Sequence, residues 1–234
     1  MNNIDYNKII NISENFDIKY EYSDRDVHSS IRMVGTNYPN SITEEEFFII
    51  KNTIMSKNLK VGLEIGTGFG ISTLASGLGF KQTGGKIVTI DGYIEEQYQD
   101  PYSESEINFE KSSESLGHKS TKNLINYFDL EDCIYAKIGL SPQDVEKNID
   151  IVHGKNSKLD YVFIDGLHTD EAVEKDFNSI KNKLNDKFVL FFHDSDFVPE
   201  TIKKIENEMN IKTKMLTGPR PVGFCLSIMT NYTD

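Results

Sequence analysis

The chain has 234 residues, 38% of them hydrophobic, enough for one large domain with a sizeable core. Its formal net charge is −12, and no cluster of Lys and Arg marks a basic face. Both observations argue against nucleic acid as a partner and against docking on an anionic membrane.

The first ten residues, MNNIDYNKII, lack the continuous apolar core of a signal peptide, and no run approaches the roughly 18 apolar residues of a membrane span. Cys133 and Cys225 stand far apart without metal-ligand spacing. They read as reduced, buried thiols of a cytoplasmic protein. Residues 1–40, polar and rich in Asn, Asp, Ser and Tyr, read as an N-terminal arm or lid, and residues 41–234 as the domain proper. Ser41 and Thr43 offer N-caps, the acids Glu44, Glu45 and Glu46 fill a first turn, and Phe47, Phe48, Ile50, Ile54 and Met55 continue an amphipathic helix.

Strands and helices then alternate. Strands are expected over 61–65, 86–90, 133–138, 159–164 and 187–192, and helices over 71–78, 119–128, 142–149, 168–184 and 199–210. Ser141 is the expected cap of the helix at 142–149, with Pro142 at its first position. Continuous apolar strands separated by helices indicate a mostly parallel sheet covered on both faces. Two last strand-like runs, 211–216 and 222–229, lie too close for a helical crossover and are expected to form an antiparallel hairpin. Residues 93–117, acidic and serine-rich, are too long for an ordinary connection, and read either as a surface loop or as a substrate lid.

The stretch LEIGTGFG, from Leu63 to Gly70, carries the first chemistry. A glycine turn between a strand and a helix offers backbone N–H groups and lets a ligand approach the main chain. Gly66, Gly68 and Gly70 supply that turn. A dinucleotide site wants a third glycine where Ile71 stands, and a P-loop wants Gly-Lys-Ser/Thr, which is absent. Glu64 is a costly residue near the end of a buried strand unless something uses it. Asp91 ends the next strand, placed to accept hydrogen bonds from two ribose hydroxyls.

Glu-x-Gly-x-Gly after a first strand, then Asp at the end of a second, resembles the class I S-adenosylmethionine-dependent methyltransferases. The likeness spans about residues 58 to 229. It implies a Rossmann-like α/β fold: a seven-stranded, mostly parallel sheet with helices on both faces and a C-terminal antiparallel hairpin. In that family the glycines pack beside the methionine part of the cofactor. The acid two residues before the first glycine anchors the amino-acid end, and the second-strand acid holds the ribose. Carried over residue by residue, this implies Glu64, Gly66, Gly68 and Asp91 as cofactor-binding residues, with Glu64 facing the ammonium. The segment IGLSPQD, starting at Ile138, corresponds to the one that borders adenine. Ser141 and Gln143 offer polar contacts there, or are simply a helix cap and an exposed glutamine.

Two strand ends remain, FIDGLH with Asp165 and His168, and FFHDSD with His193, Asp194 and Asp196. Ligands of open α/β sheets bind outside the carboxyl ends of the strands, so Asp165 and Asp194 are expected to face the cofactor's crevice, with Asp165 bordering the cofactor itself. Carboxylates so close repel unless a cation intervenes, and Mg²⁺ suits oxygen ligands. The phrases FIDGLHT and FFHD are similar to those of small-molecule O-methyltransferases of the macrocin and mycinamicin type, with their cephalosporin-hydroxylase-like kin. That likeness implies a divalent metal on Asp165 and Asp194, with His193, which stands where relatives carry an acid, or else Asp196, as the third ligand. His168, three residues after Asp165, is the candidate base, or a ligand, or only a support for its own loop. The implied reaction moves a methyl group from S-adenosylmethionine to a hydroxyl of a sugar, a glycosylated natural product or a phenol, with His168 and Asp165 in the catalytic roles. Alternatives are a nicotinamide-dependent oxidoreductase and a non-catalytic S-adenosylmethionine-binding module. Relatives often pair through the arm and loops, so the resemblance allows a homodimer or higher homo-oligomer that the sequence does not itself specify.

Overall fold

The computed structural model describes residues 42–92, 116–217 and 225–233. The expected arm at 1–40, almost all of the expected loop at 93–117, and the first part of the last expected strand lie outside the described residues. Helix α1 (Glu44–Lys57) starts in a capping box: Glu46 N–H donates to Thr43 Oγ1, and Thr43 N–H donates to Glu46 Oε2. It stops at Asn58, whose left-handed backbone cannot continue the helix. The order is then β1 (Val61–Ile65), α2 (Ile71–Thr83), β2 (Lys86–Asp91), α3 (Leu116–Tyr127), β3 (Ile134–Ile138), α4 (Val145–His153), β4 (Leu159–Ile164), α5 (Asp170–Ile180), β5 (Leu184–His193), α6 (Pro199–Met209), β6 (Thr213–Met215) and β7 (Leu226–Thr230).

The strands form one seven-stranded sheet in the order β3-β2-β1-β4-β5-β7-β6. Strands β1 to β5 pair in parallel, and β7 runs antiparallel to both β5 and β6. The central strands are apolar at consecutive positions because both faces are covered. Tyr161, Phe163 and Phe191 join Phe47, Ile50, Leu74 and Phe80 of α1 and α2 in one core. Their strand neighbours Val162, Ile164, Leu190 and Phe192 join Ile149, Phe177 and Ile202 of α4, α5 and α6 in the other. Each such side chain, fully buried, is worth about 1.5–3 kcal/mol. Strand β1 lies between β2 and β4, so the chain reverses its winding there and opens a crevice at the strand ends.

Three boundaries differ from expectation in ways that matter. The helix expected from 142 begins at Val145, and Asp144 turns its carboxylate back onto the Leu140 N–H at 2.9 Å. Ser141 therefore caps no helix; its hydroxyl donates instead to Asp176 Oδ1 of α5 at 2.5 Å. Helix α5 begins at Asp170 with Thr169 as its cap, so His168 sits in the turn before it. Strand β5 starts three residues earlier than expected, at Leu184, where it pairs with Leu159.

Candidate active site at the strand ends

The turn after β1 runs through Gly66 and Gly68 at φ of 91° and 52°. Glycine is required at Gly66 for a second reason. A Cβ there would lie 2.0 Å from the carbonyl oxygen of Asp165, so the turn packs directly on the backbone leaving β4. Gly68 N–H donates to Asp91 Oδ2 at 2.8 Å, which clasps the turn to the end of β2. Gly66 N–H donates to the carbonyl of Ile90 at 3.0 Å and completes that clasp.

Glu64 is fully buried in β1. Ser72 Oγ and Thr73 Oγ1, on the first turn of α2, donate to its two carboxylate oxygens at 2.6 and 2.5 Å. Burial raises its carboxyl to about 7, against the pull of those hydroxyls and with a small push from Asp165. Farther along the crevice, Ser141 is engaged by Asp176, whose carboxyl burial raises to about 6. Gln143 is exposed.

The second half of the site forms at the ends of β4 and β5. Asp165 follows β4, and Asp194 follows β5 in a left-handed conformation, φ 52°. His168 stands between them, with Nε2 3.1 Å from Asp165 Oδ1 and Nδ1 3.4 Å from Asp194 Oδ2. His193, the last residue of β5, lies behind both acids. Its Nδ1 is 3.2 Å from Asp165 Oδ1 and 3.4 Å from Asp194 Oδ1, and its Nε2 is 3.5 Å from Glu46 Oε2 of α1. Both nitrogens of His193 are buried and face these carboxylates as ion pairs rather than as aligned hydrogen bonds.

Electrostatics dominates here. Burial alone would raise the carboxyl of Asp165, but His193 and His168 override it and hold that carboxyl far below its usual range. Asp194 is lowered in the same way, with burial and Asp165 opposing the two imidazoles. Burial would lower His168 and His193; the facing carboxylates reverse this, and His193 rises well above its ordinary value.

Donor atoms of Asp165, His168 and Asp194 all lie within 4.8 Å of one another. Two carboxylates and an imidazole, backed by a second buried imidazole, fit a divalent cation: the oxygens suit Mg²⁺, and the nitrogen extends the set toward Mn²⁺ or Zn²⁺. Of the residues singled out in the sequence, the structure thus brings Glu64, Gly66, Gly68 and Asp91 together at β1 and β2. Asp165, His168, His193 and Asp194 gather at β4 and β5.

Two residues of this region escaped sequence reading. Phe197 stacks on His168, with ring centroids 6.3 Å apart and planes at 7°. Glu46 reaches His193 from α1 while serving in the capping box. The T-x-x-E signature at Thr43 marks Glu46 as a capping residue and so hides the second contact.

A strand-end crevice with a glycine turn, an acid on each of two neighbouring strands and a seven-stranded sheet closed by an antiparallel strand defines a class. The family model described as "Methyltransferase domain" matches residues 63–195, and the chain belongs to that family. The solved structures it resembles include an O-methyltransferase from Bacillus cereus in complex with SAH, at 16% identity and a TM-score of 0.60, covering 96% of each chain. A SAH-bound methyltransferase from Podospora anserina matches at 13% identity and a TM-score of 0.59, covering 100% of this chain and 97% of that one. An O-methyltransferase from Streptomyces achromogenes, involved in tomaymycin synthesis and in complex with SAM, matches at 12% identity and a TM-score of 0.59, covering 96% and 95%. At such identities the likeness establishes the fold: the Rossmann-like methyltransferase sheet. Among the described residues, no helix is long and apolar enough to cross a membrane.

Proposed function

We propose that this chain transfers a methyl group from S-adenosylmethionine to a hydroxyl of a small molecule, with assistance from a divalent cation. The observation that carries this reading is adjacency. The Gly66 turn packs on the backbone of Asp165, so the glycine turn and the acid cluster share one wall at the strand ends. The solved relatives bound to SAM or SAH support the choice of cofactor, and those titled O-methyltransferases support oxygen as the acceptor.

Each side chain then has a task. The turn at Gly66 and Gly68 allows the cofactor to approach the main chain, Asp91 takes the ribose, and Glu64 sets the polar floor under the amino-acid end. S-adenosylmethionine supplies the electrophilic methyl on a sulfonium. Asp165, His168 and Asp194 would hold the cation, and a divalent ion there would supply charge stabilisation to the acceptor oxygen. His168 has a third of its side-chain surface exposed against 4% for His193, so His168 is the imidazole an incoming substrate meets. With no cation bound, His168 is instead the candidate base for the hydroxyl proton. Leu167 and Phe197, both exposed, flank His168 and give the acceptor an apolar edge.

Calorimetry tests this directly, with S-adenosylmethionine titrated into chelator-treated protein, then Mn²⁺ or Mg²⁺. Micromolar cofactor binding, about −8 kcal/mol, and a separate metal heat are expected. Absence of cofactor binding overturns the reading; cofactor binding without a metal heat removes the cation from it.

A further inference from the structure

Glu46 is an unexpected carboxylate. It sits in the first turn of α1, fully buried, 147 residues before His193 at the end of β5. A carboxylate in that position is costly unless its lone pairs are used. They are used three ways. Oε2 accepts the Thr43 N–H at 2.7 Å and faces His193 Nε2 at 3.5 Å. Oε1 accepts the Thr217 hydroxyl at 2.8 Å, and Thr217 Oγ1 in turn accepts the Leu226 N–H at 2.8 Å.

A cap alone explains the first of these, since an exposed acid three residues after Thr43 would serve as well. A tie to the β6–β7 region explains the second. Neither explains the third, which joins Glu46 to an imidazole whose other nitrogen lies 3.2 Å from Asp165 and 3.4 Å from Asp194. His193 is thereby held at both ends of its ring. On one side stands a carboxylate with no part in the crevice, on the other the two carboxylates that line it.

We propose that Glu46 is a positioning residue of the metal site: it fixes the ring of His193, and His193 fixes the carboxylates of Asp165 and Asp194 in the arrangement that accepts a cation. This rests on the metal-assisted reading above. Groups standing behind metal ligands orient them, and their loss typically costs roughly 10–100-fold in metal affinity. The role also accounts for His193 at a strand end dominated by acids. A third carboxylate there would repel Asp165 and Asp194, whereas an imidazole backed by Glu46 can bridge them.

The test is Mn²⁺ affinity of the full chain, read by electron paramagnetic resonance without substrate or turnover, alongside cofactor affinity and melting temperature. Glu46→Gln is expected to weaken Mn²⁺ binding roughly 10–100-fold while leaving cofactor affinity unchanged. Thr217→Val cuts the same network on the side away from His193. It is expected to lower the melting temperature with Mn²⁺ affinity intact, which a purely structural role for Glu46 would not produce. Should Glu46→Gln fail to fold, His193→Gln breaks the link from the other end and is expected to show the same loss of Mn²⁺. Wild-type Mn²⁺ affinity in the folded variant overturns the proposal, as does equal loss in Thr217→Val. Wild-type protein that binds no Mn²⁺ overturns the metal reading itself, and this inference with it.

Discussion

The two halves of the crevice solve the problem of a buried carboxylate in opposite ways. At β1, Glu64 is met by neutral dipoles, the hydroxyls of Ser72 and Thr73. At β4 and β5, Asp165 and Asp194 are met by the imidazoles of His168 and His193, with Glu46 behind them. Burial outweighs those hydroxyls and raises the carboxyl of Glu64 to about 7, where a cationic group brought beside it would favour its ionised form. The imidazoles keep both aspartates ionised, so that half is charged whether or not a ligand is present.

The contrast breaks most severely at Asp165. In Asp165→Ala both imidazoles lose one of the two carboxylates they share, and the proposed cation loses a ligand. Methyl transfer is expected to fall more than the roughly 100-fold upper range for outer partners, while cofactor affinity changes by less than about threefold. Parallel turnover and binding measurements check this; wild-type turnover would place the chemistry elsewhere.

Glu64 sharpens the comparison through pH. Its carboxyl sits at about 7 in the fold and at an ordinary 4.5 when unfolded, so between those values the native state holds the extra proton. Stability therefore falls as pH rises through this window and levels off above it, by about 3 kcal/mol in all. For the cofactor-free protein this corresponds to a drop of roughly 5–10 °C in melting temperature from pH 5 to pH 8. Glu64→Gln is expected to make the slope near pH 7 shallower, leaving the part contributed by Asp176, His168 and His193, and an unchanged slope would overturn the assignment to Glu64.

The mildest effect is expected at Asp91. Asp91→Ala releases the Gly68 N–H and removes the proposed ribose contact, each a hydrogen bond to a charged group. Cofactor affinity should weaken about tenfold to a hundredfold, with metal affinity untouched. Equal loss of both ligands would show that the halves are not separate.

The sheet was legible because its signals are local and periodic. Apolar runs such as LDYVFI and KFVLFF, each followed by a helix, permit few arrangements, and the strand ends carrying Asp91, Asp165 and Asp194 follow from them. The boundaries that slipped were those set by side chains from distant elements. Ser141 looks like a cap until Asp176 of α5 takes its hydroxyl. His168 looks like a helical residue until Thr169 caps α5 after it. Glu46 was the least legible, because its capping signature is complete within four residues while its partners Thr217 and His193 lie on the far side of the sequence.

That last contact also constrains the timing of assembly. The Glu46–Thr217 bond closes a loop of 171 residues, and β5 is flanked on its outer side by β7, with His193 opposite Leu226. During synthesis, the glycine turn and β2 can pack soon after they emerge, whereas the aspartate–histidine cluster waits for almost the last strand. A nascent chain cut before Leu226 is thus left with the glycine turn packed and the aspartate–histidine cluster unfinished. Loss of the strand beginning at Leu226 would then disturb the aspartate–histidine cluster out of proportion to its length.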